Sequence, residues 1–196
     1  MTILAIDPGL NNGIAILDCQ RRLLLATEIP VIGEGANKRL NLISFADILG
    51  QFRIGHAVVE DVAAMPKQGL TSTFRFGRAS GSFEGALAAL KIPTSFIRPA
   101  IWKRDIGAKA KRDEDIRALA IQTWPDQSHR FARKRDHNRA EAALIGLWFL
   151  QHSGIVGQAS ADRMPPGSLS TAEQKSAIGR RKSRPLGGAW GNVGRA

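Results

Sequence analysis

Three apolar, β-branched runs follow one another within the first 29 residues, and their order limits the folds open to this chain. The runs are TILAIDPG, GIAILD and LLLATEI, separated by Gly-rich or polar turns. Strand-like and helical segments then alternate: HAVVED and PTSFIRP are short apolar strands, and STFRFGRASGSFEGALAALKI has a helical period. Three meandering strands followed by helix–strand–helix–strand–helix predict an α/β domain with a mixed five-stranded sheet flanked by helices.

Three further helices are predicted from apolar spacing and capping residues. They are KRLNLISFADILGQF with Asn37 as its N-cap, a segment from about 112 to 124, and a segment from about 137 to 152 with Asp136 as a candidate N-cap. The folded domain is therefore predicted to span residues 1–153.

Residues 154–196 have a different composition. They are rich in Gly, Ser, Pro and Arg, and their apolar residues follow no helical or strand period. Such a segment buries too little apolar area to offset the entropy lost on ordering. We predict a disordered basic tail, which would serve either as a solubilising segment or as a phosphate-binding arm.

Charge and cysteine content narrow the class of protein. The chain has 28 Lys and Arg against 17 Asp and Glu, a net charge of +11, which points to a polyanion partner, most often nucleic acid. No apolar run approaches the roughly 18 residues that a membrane span requires, and the N-terminus lacks the pattern of a signal peptide. The single Cys19 excludes an intrachain disulfide framework and a cysteine-based zinc site. We expect a soluble cytoplasmic protein with no membrane partner.

Carboxylates follow buried runs at two predicted strand ends and recur on an apolar helix face. Asp7 ends the first strand and Glu60 ends the fourth, whereas Glu141 lies in the last helix with His137 four residues earlier and Asn138 three residues earlier. If the two strands are neighbours, Asp7 and Glu60 project together. Oxygen-rich clusters with one imidazole suit Mg²⁺ or Mn²⁺, and two such ions can drive phosphoryl displacement. The alternative is that each acid is a helix cap or an ion-pair partner.

The motifs that contain these acids resemble, in order and spacing, those of the RuvC family of Holliday junction resolvases, within the RNase H-like superfamily. They are IDPGLNNGIAI, VVEDV, FGRASGSFEGALAAL and RAEAALIG, and the resemblance covers residues 2–150. It implies an RNase H-like fold, a homodimer, and Mg²⁺-dependent symmetric nicking of four-way DNA junctions. It also implies that Asp7, Glu60 and Glu141 are the catalytic acids.

The chain departs from the family pattern at two places. The family's closing pair is two Asp residues three apart, but here Glu141 replaces the second and Asn138 stands at the first. His137 or Asp136 must then supply the missing ligand, as in phage-type and organellar relatives. The family's aromatic residue after the second acid is replaced by Ala63, so junction opening must rely on other groups or proceed differently.

Basic residues near these motifs are the predicted DNA contacts. Lys103, Lys109, Lys111 and Arg112 lie in the loop between the fifth predicted strand and the next helix. A basic loop that leads into a helix N-terminus can hold a backbone phosphate through its side chains and the free N–H groups. The resemblance places essential lysines in this loop, with Lys109 or Lys111 the most similar positions. A solvated basic loop is the alternative. The predicted DNA-binding residues are Lys67, Gln68, Lys103, Lys109, Lys111, Arg112 and Lys134. Two nearby tryptophans, Trp102 and Trp124, are expected to be core residues rather than base-stacking platforms.

Three glycines in the long helix, Gly77, Gly81 and Gly85, are spaced by four. Each costs about 0.8–1 kcal/mol relative to Ala in a helix interior, so close backbone approach should compensate. We predict that the glycines pack on the sheet of the same chain, and that the adjacent face of the helix contacts a second subunit.

Two other functions fit part of the pattern. The segment DPGLNNG also resembles the Gly-rich phosphate loop of actin-like or acetate-kinase-like phosphotransferases, but those proteins need two such domains. The other candidate is a DNA-binding module whose acids are not catalytic. Stabilisation by divalent ions would favour a nuclease, and ATP-dependent stabilisation would favour a phosphotransferase.

Overall fold

The computed structural model describes residues 1–11, 13–63, 69–108 and 112–154, apart from the side chain of Ala36. Residues 155–196, which include almost all of the predicted tail, lie outside this range. Within it, no helix is both long enough and apolar enough to cross a lipid bilayer.

A mixed five-stranded sheet forms the centre of the domain, as predicted. Its strands, in chain order, are β1 (Thr2–Ile6), β2 (Gly13–Asp18), β3 (Leu23–Glu28), β6 (Ile54–Glu60) and β7 (Thr94–Ile97). Their order across the sheet is β3-β2-β1-β6-β7. The first three strands are antiparallel hairpin neighbours, whereas β6 pairs parallel with β1 and β7 pairs parallel with β6. Two short strands, β4 (Val31–Ile32) and β5 (Arg39–Leu40), pair with each other in a separate ladder.

Five α-helices are present in the described residues. They are α1 (Leu42–Gly50), α2 (Leu70–Ala89), α3 (Pro99–Asp105), α4 (Asp113–Thr123) and α5 (His137–His152). The prediction of Asn37 as an N-cap is wrong: α1 begins after Asn41, whose side chain accepts a hydrogen bond from the Ser44 N–H at 3.1 Å. Helix α3 was not predicted, because Pro99 was interpreted as the end of a strand. Proline also suits the first position of a helix, where its missing N–H loses no hydrogen bond.

The sheet separates two apolar layers, and alternation along β1 assigns its side chains to them. Ile3 and Ala5 contribute to the layer that contains α4 and α5, whereas Leu4 and Ile6 contribute to the layer that contains α1 and α2. Helix α5 is the most buried of the helices. Asp7 follows Ala5 by two residues, so the alternation along the strand places the Asp7 side chain on the side of the α5 layer.

Two glycines allow α5 to lie close to the sheet. A Cβ at Gly146 would come within 2.5 Å of the Leu17 side chain, and a Cβ at Gly13 would come within 2.6 Å of the Asn138 carbonyl oxygen. Gly13 therefore fixes the distance between the start of β2 and the first turn of α5. The glycines of α2 have a different surrounding: nothing lies within 4 Å of a Cβ built at Gly77 or Gly81.

The prediction that the α2 glycines pack on their own sheet is therefore wrong. A Cβ at Gly85 would also meet open space. The sheet-facing side of α2 is instead formed by the buried side chains of Ala79, Phe83 and Leu87. The glycines lie on the side of α2 that is exposed in the described part of the chain.

Gly13→Ala is expected to lower the free energy of unfolding by about 1–3 kcal/mol, the typical penalty for overpacking. The added methyl group would meet backbone atoms of Asn138 and Arg139, which cannot move without shifting α5. Urea denaturation measures the change. Gly50→Ala is the matched control, because a Cβ there meets nothing within 4 Å. Equal stability of the two variants would contradict this packing.

Candidate active site

Asp7 and Glu60 lie side by side at the carboxyl ends of two neighbouring parallel strands. Ile6 is paired with Val59 in the register of β1 and β6, so the residues that follow them come next to each other. Both acids are nearly buried, with relative exposures of 3% and 6%. They point toward the α5 layer, and this arrangement confirms that the two strands are neighbours.

The ammonium group of Lys103 lies among the acids. Its Nζ atom is 2.8 Å from Oε1 of Glu141, which α5 presents to the same edge of the sheet. Partial burial disfavours the charged lysine, but the hydrogen bond to Glu141 and the carboxylates of Glu141, Glu60 and Asp7 outweigh it. The pKa of Lys103 is therefore raised above its usual value. Three acids from three elements thus share one cation.

The environment of Glu60 works against its negative charge. Burial raises the pKa of this carboxyl, and the nearby Glu141 raises it further. The indole Nε1–H of Trp102 donates a hydrogen bond to Oε1 of Glu60 at 2.7 Å, and this bond and the charge of Lys103 act in the opposite direction. The net effect is a raised pKa of Glu60. Glu60 therefore depends on neighbouring cations and hydrogen-bond donors to stay ionised.

This set of oxygen donors fits a hard divalent cation. Asp7, Glu60 and Glu141 offer only carboxylate oxygens, the ligands that Mg²⁺ and Mn²⁺ prefer, and all three already interact electrostatically with the ammonium of Lys103. Within the described ranges, no three His, Cys, Asp or Glu side chains lie close enough together to hold a metal ion as they stand. The acids are grouped around the ammonium of Lys103 instead.

The other predicted ligands make contacts of their own. His137 is 3.6 Å from the Asp113 carboxylate through Nε2, and its Nδ1 is 3.2 Å from the Lys134 carbonyl oxygen. The Asn138 side-chain amide donates to the carbonyl oxygen of Asn11 at 2.6 Å. The assignment of His137 and Asn138 as metal ligands stays a prediction. The hydrogen bond of Asn138 joins α5 to the turn after Asp7.

Asp136 is fully buried and is bound by two arginines. Its carboxylate accepts hydrogen bonds from the backbone N–H of Arg133 at 2.8 Å and from the Arg133 guanidinium, and it is 3.6 Å from Arg139. Burial raises its pKa, but the Arg133 bonds outweigh this effect and lower it. Asp136 occupies the N-cap position of α5, as predicted, but its side chain makes no capping hydrogen bond there, because the carboxylate caps the short turn Lys134–Asp136 instead.

The predicted DNA contacts divide into those that the structure describes and those that it does not. Lys67, Gln68, Lys109 and Lys111 lie outside the described residues. Arg112 forms ion pairs with Glu114 at 2.7 Å and Asp115 at 3.5 Å. Lys134 lines an open cavity of about 530 Å³ that Arg112 and Arg117 also line. Lys103 faces the acids, a position that its assignment to a DNA-binding loop did not anticipate.

Trp102 is a site residue that was interpreted only as core. It is fully buried, as expected, but its Nε1–H contacts Glu60, and the Lys103 ammonium lies 5.1 Å from its ring centroid. The signal in the sequence is the Trp-Lys pair just after Pro99, which places both side chains in the short helix α3. Trp124 is buried as well, and its Nε1–H donates to the carbonyl oxygen of Arg21, in the turn between β2 and β3.

If the acids hold Mg²⁺ for DNA cleavage, as the resemblance to the RuvC family implies, Trp102→Phe is expected to raise the Mg²⁺ concentration for half-maximal activity roughly tenfold or more, since a hydrogen bond to a charged group is worth about 1.5–3 kcal/mol. The aromatic ring stays, but Glu60 loses a donor that favours its ionised form. Trp124→Phe, which removes a hydrogen bond to a main-chain carbonyl, is the control. An equal Mg²⁺ requirement in both variants would reduce Trp102 to a packing residue.

Comparisons with known proteins support the fold. No protein-family profile matches the chain. A 96-residue segment is 28% identical to "Holliday junction resolvase MOC1, chloroplastic" of Chlamydomonas reinhardtii, and this segment covers 48% of the chain but only 11% of that protein. The structure of "T. thermophilus RuvC in complex with Holliday junction substrate" matches with a TM-score of 0.57 and 17% identity, over 77% of this chain and 95% of that chain. The chain therefore has the RNase H-like fold of RuvC and is similar in sequence to part of a Holliday junction resolvase, which confirms the resemblance predicted from its motifs.

Proposed function

We propose that this protein is a metal-dependent, structure-selective endonuclease that nicks four-way DNA junctions. The observation that carries the proposal is the grouping of Asp7, Glu60 and Glu141 around one cation at the carboxyl edge of the sheet. Support also comes from the fold, which matches nearly the whole of a RuvC chain whose structure includes a Holliday junction. The net charge of +11 suits a polyanionic substrate.

Asp7, Glu60 and Glu141 would hold the metal, with Mg²⁺ as the proposed ion, Mn²⁺ as a substitute, and two ions per site. When bound, the ions would supply an activated water and positive charge for the scissile phosphate. Lys103 compensates the acids in their absence and would add positive charge next to the phosphate. Trp102 holds Glu60 in place through its indole N–H.

A second copy of the chain would explain symmetric nicking. Helix α2 exposes Leu70 and Phe74, which are 90% and 70% accessible, and Gly77 and Gly81 lie open one and two turns further along. An apolar strip beside small residues suits the close packing of two helices. We propose that this face of α2 joins two protomers, so that two active sites act on one junction.

Cleavage assays on branched DNA test the proposal. A four-way junction, a flap and a linear duplex, each carrying a label on one strand at a time, are incubated with the full chain in Mg²⁺ or in EDTA. We expect Mg²⁺-dependent nicks at symmetric positions in two opposing strands of the junction, and little cutting of the duplex. Equal cutting of all three substrates would contradict junction selectivity. ATP-dependent phosphoryl transfer without cutting would favour the phosphotransferase.

A further inference from the structure

A basic groove lies beside the turn that follows Asp7, on the α2 side of the domain. The turn at Gly9–Asn11, the segment around Lys38 and the first half of α2 enclose a cavity of about 300 Å³ that Arg75 also lines. A second cavity of about 150 Å³ shares Arg75 and adds Arg39 and Arg78. We call these two adjoining cavities the α2 groove.

The four cations of the α2 groove lack carboxylate partners in the part of the chain that the structure describes. Arg75 donates to the Gly35 carbonyl oxygen at 3.0 Å, Arg78 donates to the Lys38 carbonyl oxygen at 3.5 Å, and Lys38 donates to the Asn11 side chain. All of these acceptors are neutral. Other arginines of the chain differ, since Arg22 and Arg133 each contact an acid within 3 Å.

Like charges collected without counter-charges repel one another, so this arrangement favours an anion. Guanidinium groups bind phosphate oxygens through paired N–H donors. The groove is open and mixed in polarity, and two of its cations, Arg39 and Arg78, are exposed to solvent. These features suit a chain of phosphates that passes along the surface.

The position of the groove connects it to the acids. Gly9 is two residues after Asp7, so their Cα atoms are at most about 7.6 Å apart. Helix α2 packs on the face of the sheet opposite to that of Trp102, whose neighbour Lys103 contacts Glu141. A DNA strand that crosses the carboxyl edge of the sheet would therefore meet Lys103 on one side and the α2 groove on the other.

We propose that the α2 groove binds backbone phosphates of the DNA strand as it leaves the active site, with Lys38, Arg39, Arg75 and Arg78 as the contacting residues. The proposal rests on the proposed function and extends it to a second surface, distinct from the basic residues predicted from the sequence. Contacts of this kind fix the position of the DNA and carry no base specificity.

The test compares three double variants of the full chain that each remove two positive charges. Lys38→Gln/Arg75→Gln and Arg39→Gln/Arg78→Gln change the groove, and the second pair involves exposed side chains whose loss leaves the core intact. The control is Arg53→Gln/Lys91→Gln. Arg53 lies just before β6 and Lys91 lies shortly before β7, so both are at the edge of the sheet opposite to the acids. Circular dichroism melts verify that each variant is folded.

Binding to a labelled four-way junction and to a linear duplex is measured in EDTA by fluorescence anisotropy between 50 and 200 mM salt. Each phosphate contact contributes about 0.9 to the slope of log affinity against log salt. Each groove variant should therefore lose about 1.8 from the slope, so that its affinity falls about tenfold less over this range than that of the wild type. The control should lose less than half as much slope as either groove variant.

Groove variants with the slope of the wild type, or no flatter than the control, would overturn the proposal. So would wild-type protein that binds ATP as tightly as DNA, since the groove would then be a small-anion site. Failure of the proposed function has a different signature: the wild type would bind DNA without cutting junctions, while the slopes still decide the role of the groove. A wild type that binds no DNA would overturn both.

Discussion

Asp7→Asn and Glu60→Gln are each expected to abolish junction cleavage, with a loss of roughly 10³-fold or more, while junction binding stays intact or becomes tighter. Metal ions supply several kcal/mol of charge stabilisation in phosphoryl transfer, and each 1.36 kcal/mol is tenfold in rate. The amides keep the shape of the carboxylates but remove the charge that would hold the ions. Binding in EDTA should survive, because the phosphate contacts do not require the metal.

Asp18→Asn is the matched control for this prediction. Asp18 is also a buried acid at the end of a strand, with an exposure of 6%, but it binds Arg22 and the turn after β2. Its loss should lower stability without changing the rate of cleavage by folded protein. Near-wild-type nicking by Asp7→Asn or Glu60→Gln would show that these acids do not hold the catalytic metal.

Melting temperatures separate the chemical role of Glu60 from a structural one. The pKa of Glu60 is raised in the folded protein, so ionisation of Glu60 at neutral pH opposes folding. Protonated Glu60 contributes its full stabilisation only below the pKa that this residue has in the unfolded chain, and the stabilisation is lost as the pH rises through the raised pKa of the folded state. Glu60→Gln in EDTA should therefore melt at or above the wild-type temperature at pH 7. This advantage should disappear as the pH falls into the range where Glu60 is protonated in both states.

Lys103→Met is expected to slow cleavage by roughly 10²–10³-fold, the typical loss when one group that stabilises developing charge is removed. The same change should lower the Mg²⁺ concentration that gives half-maximal activity, because the lysine no longer competes for Asp7, Glu60 and Glu141. This direction is opposite to the one expected for Trp102→Phe. The measurement is a Mg²⁺ titration of the junction-cleavage rate.

Arg104→Met is the matched control for Lys103→Met. Arg104 is the next residue in α3, is largely exposed, and its guanidinium pairs with the adjacent Asp105. It should keep the wild-type rate and the wild-type Mg²⁺ requirement. If both variants lose rate equally, Lys103 acts as one of several surface charges for DNA binding. If Lys103→Met lowers the Mg²⁺ concentration for half-maximal activity without any loss of rate, the proposal that Lys103 lies next to the reacting phosphate is wrong.

The sequence predicts the parts of the site that depend on period and strand ends. Asp7 and Glu60 were identifiable because buried strands that end in acids require a counter-charge, and the register of β1 and β6 places them together. Glu141 was identifiable because it interrupts an apolar helix face. These inferences depend only on local pattern, together with the expectation that the strands are neighbours.

The rest of the site depends on contacts between distant segments. Trp102 and Glu60 are 42 residues apart, and Lys103 and Glu141 are 38 apart, so no local pattern reveals either pair. The α2 glycines were assigned to the wrong neighbour for a similar reason. Regular spacing by four places Gly77, Gly81 and Gly85 on one face, but it does not determine what that face contacts.

The central claim is that Asp7, Glu60 and Glu141 together form a divalent-metal site, and thermal melting with added Mg²⁺ or Mn²⁺ tests it most directly. A ligand at 100 times its dissociation constant stabilises the folded state by about 2.7 kcal/mol. We predict that millimolar Mg²⁺ or Mn²⁺ raises the melting temperature of the full chain and that Asp7→Asn loses most of this increase, whereas Asp18→Asn keeps it. An increase that is the same in Asp7→Asn, or that appears with ATP and not with the ions alone, would contradict the claim.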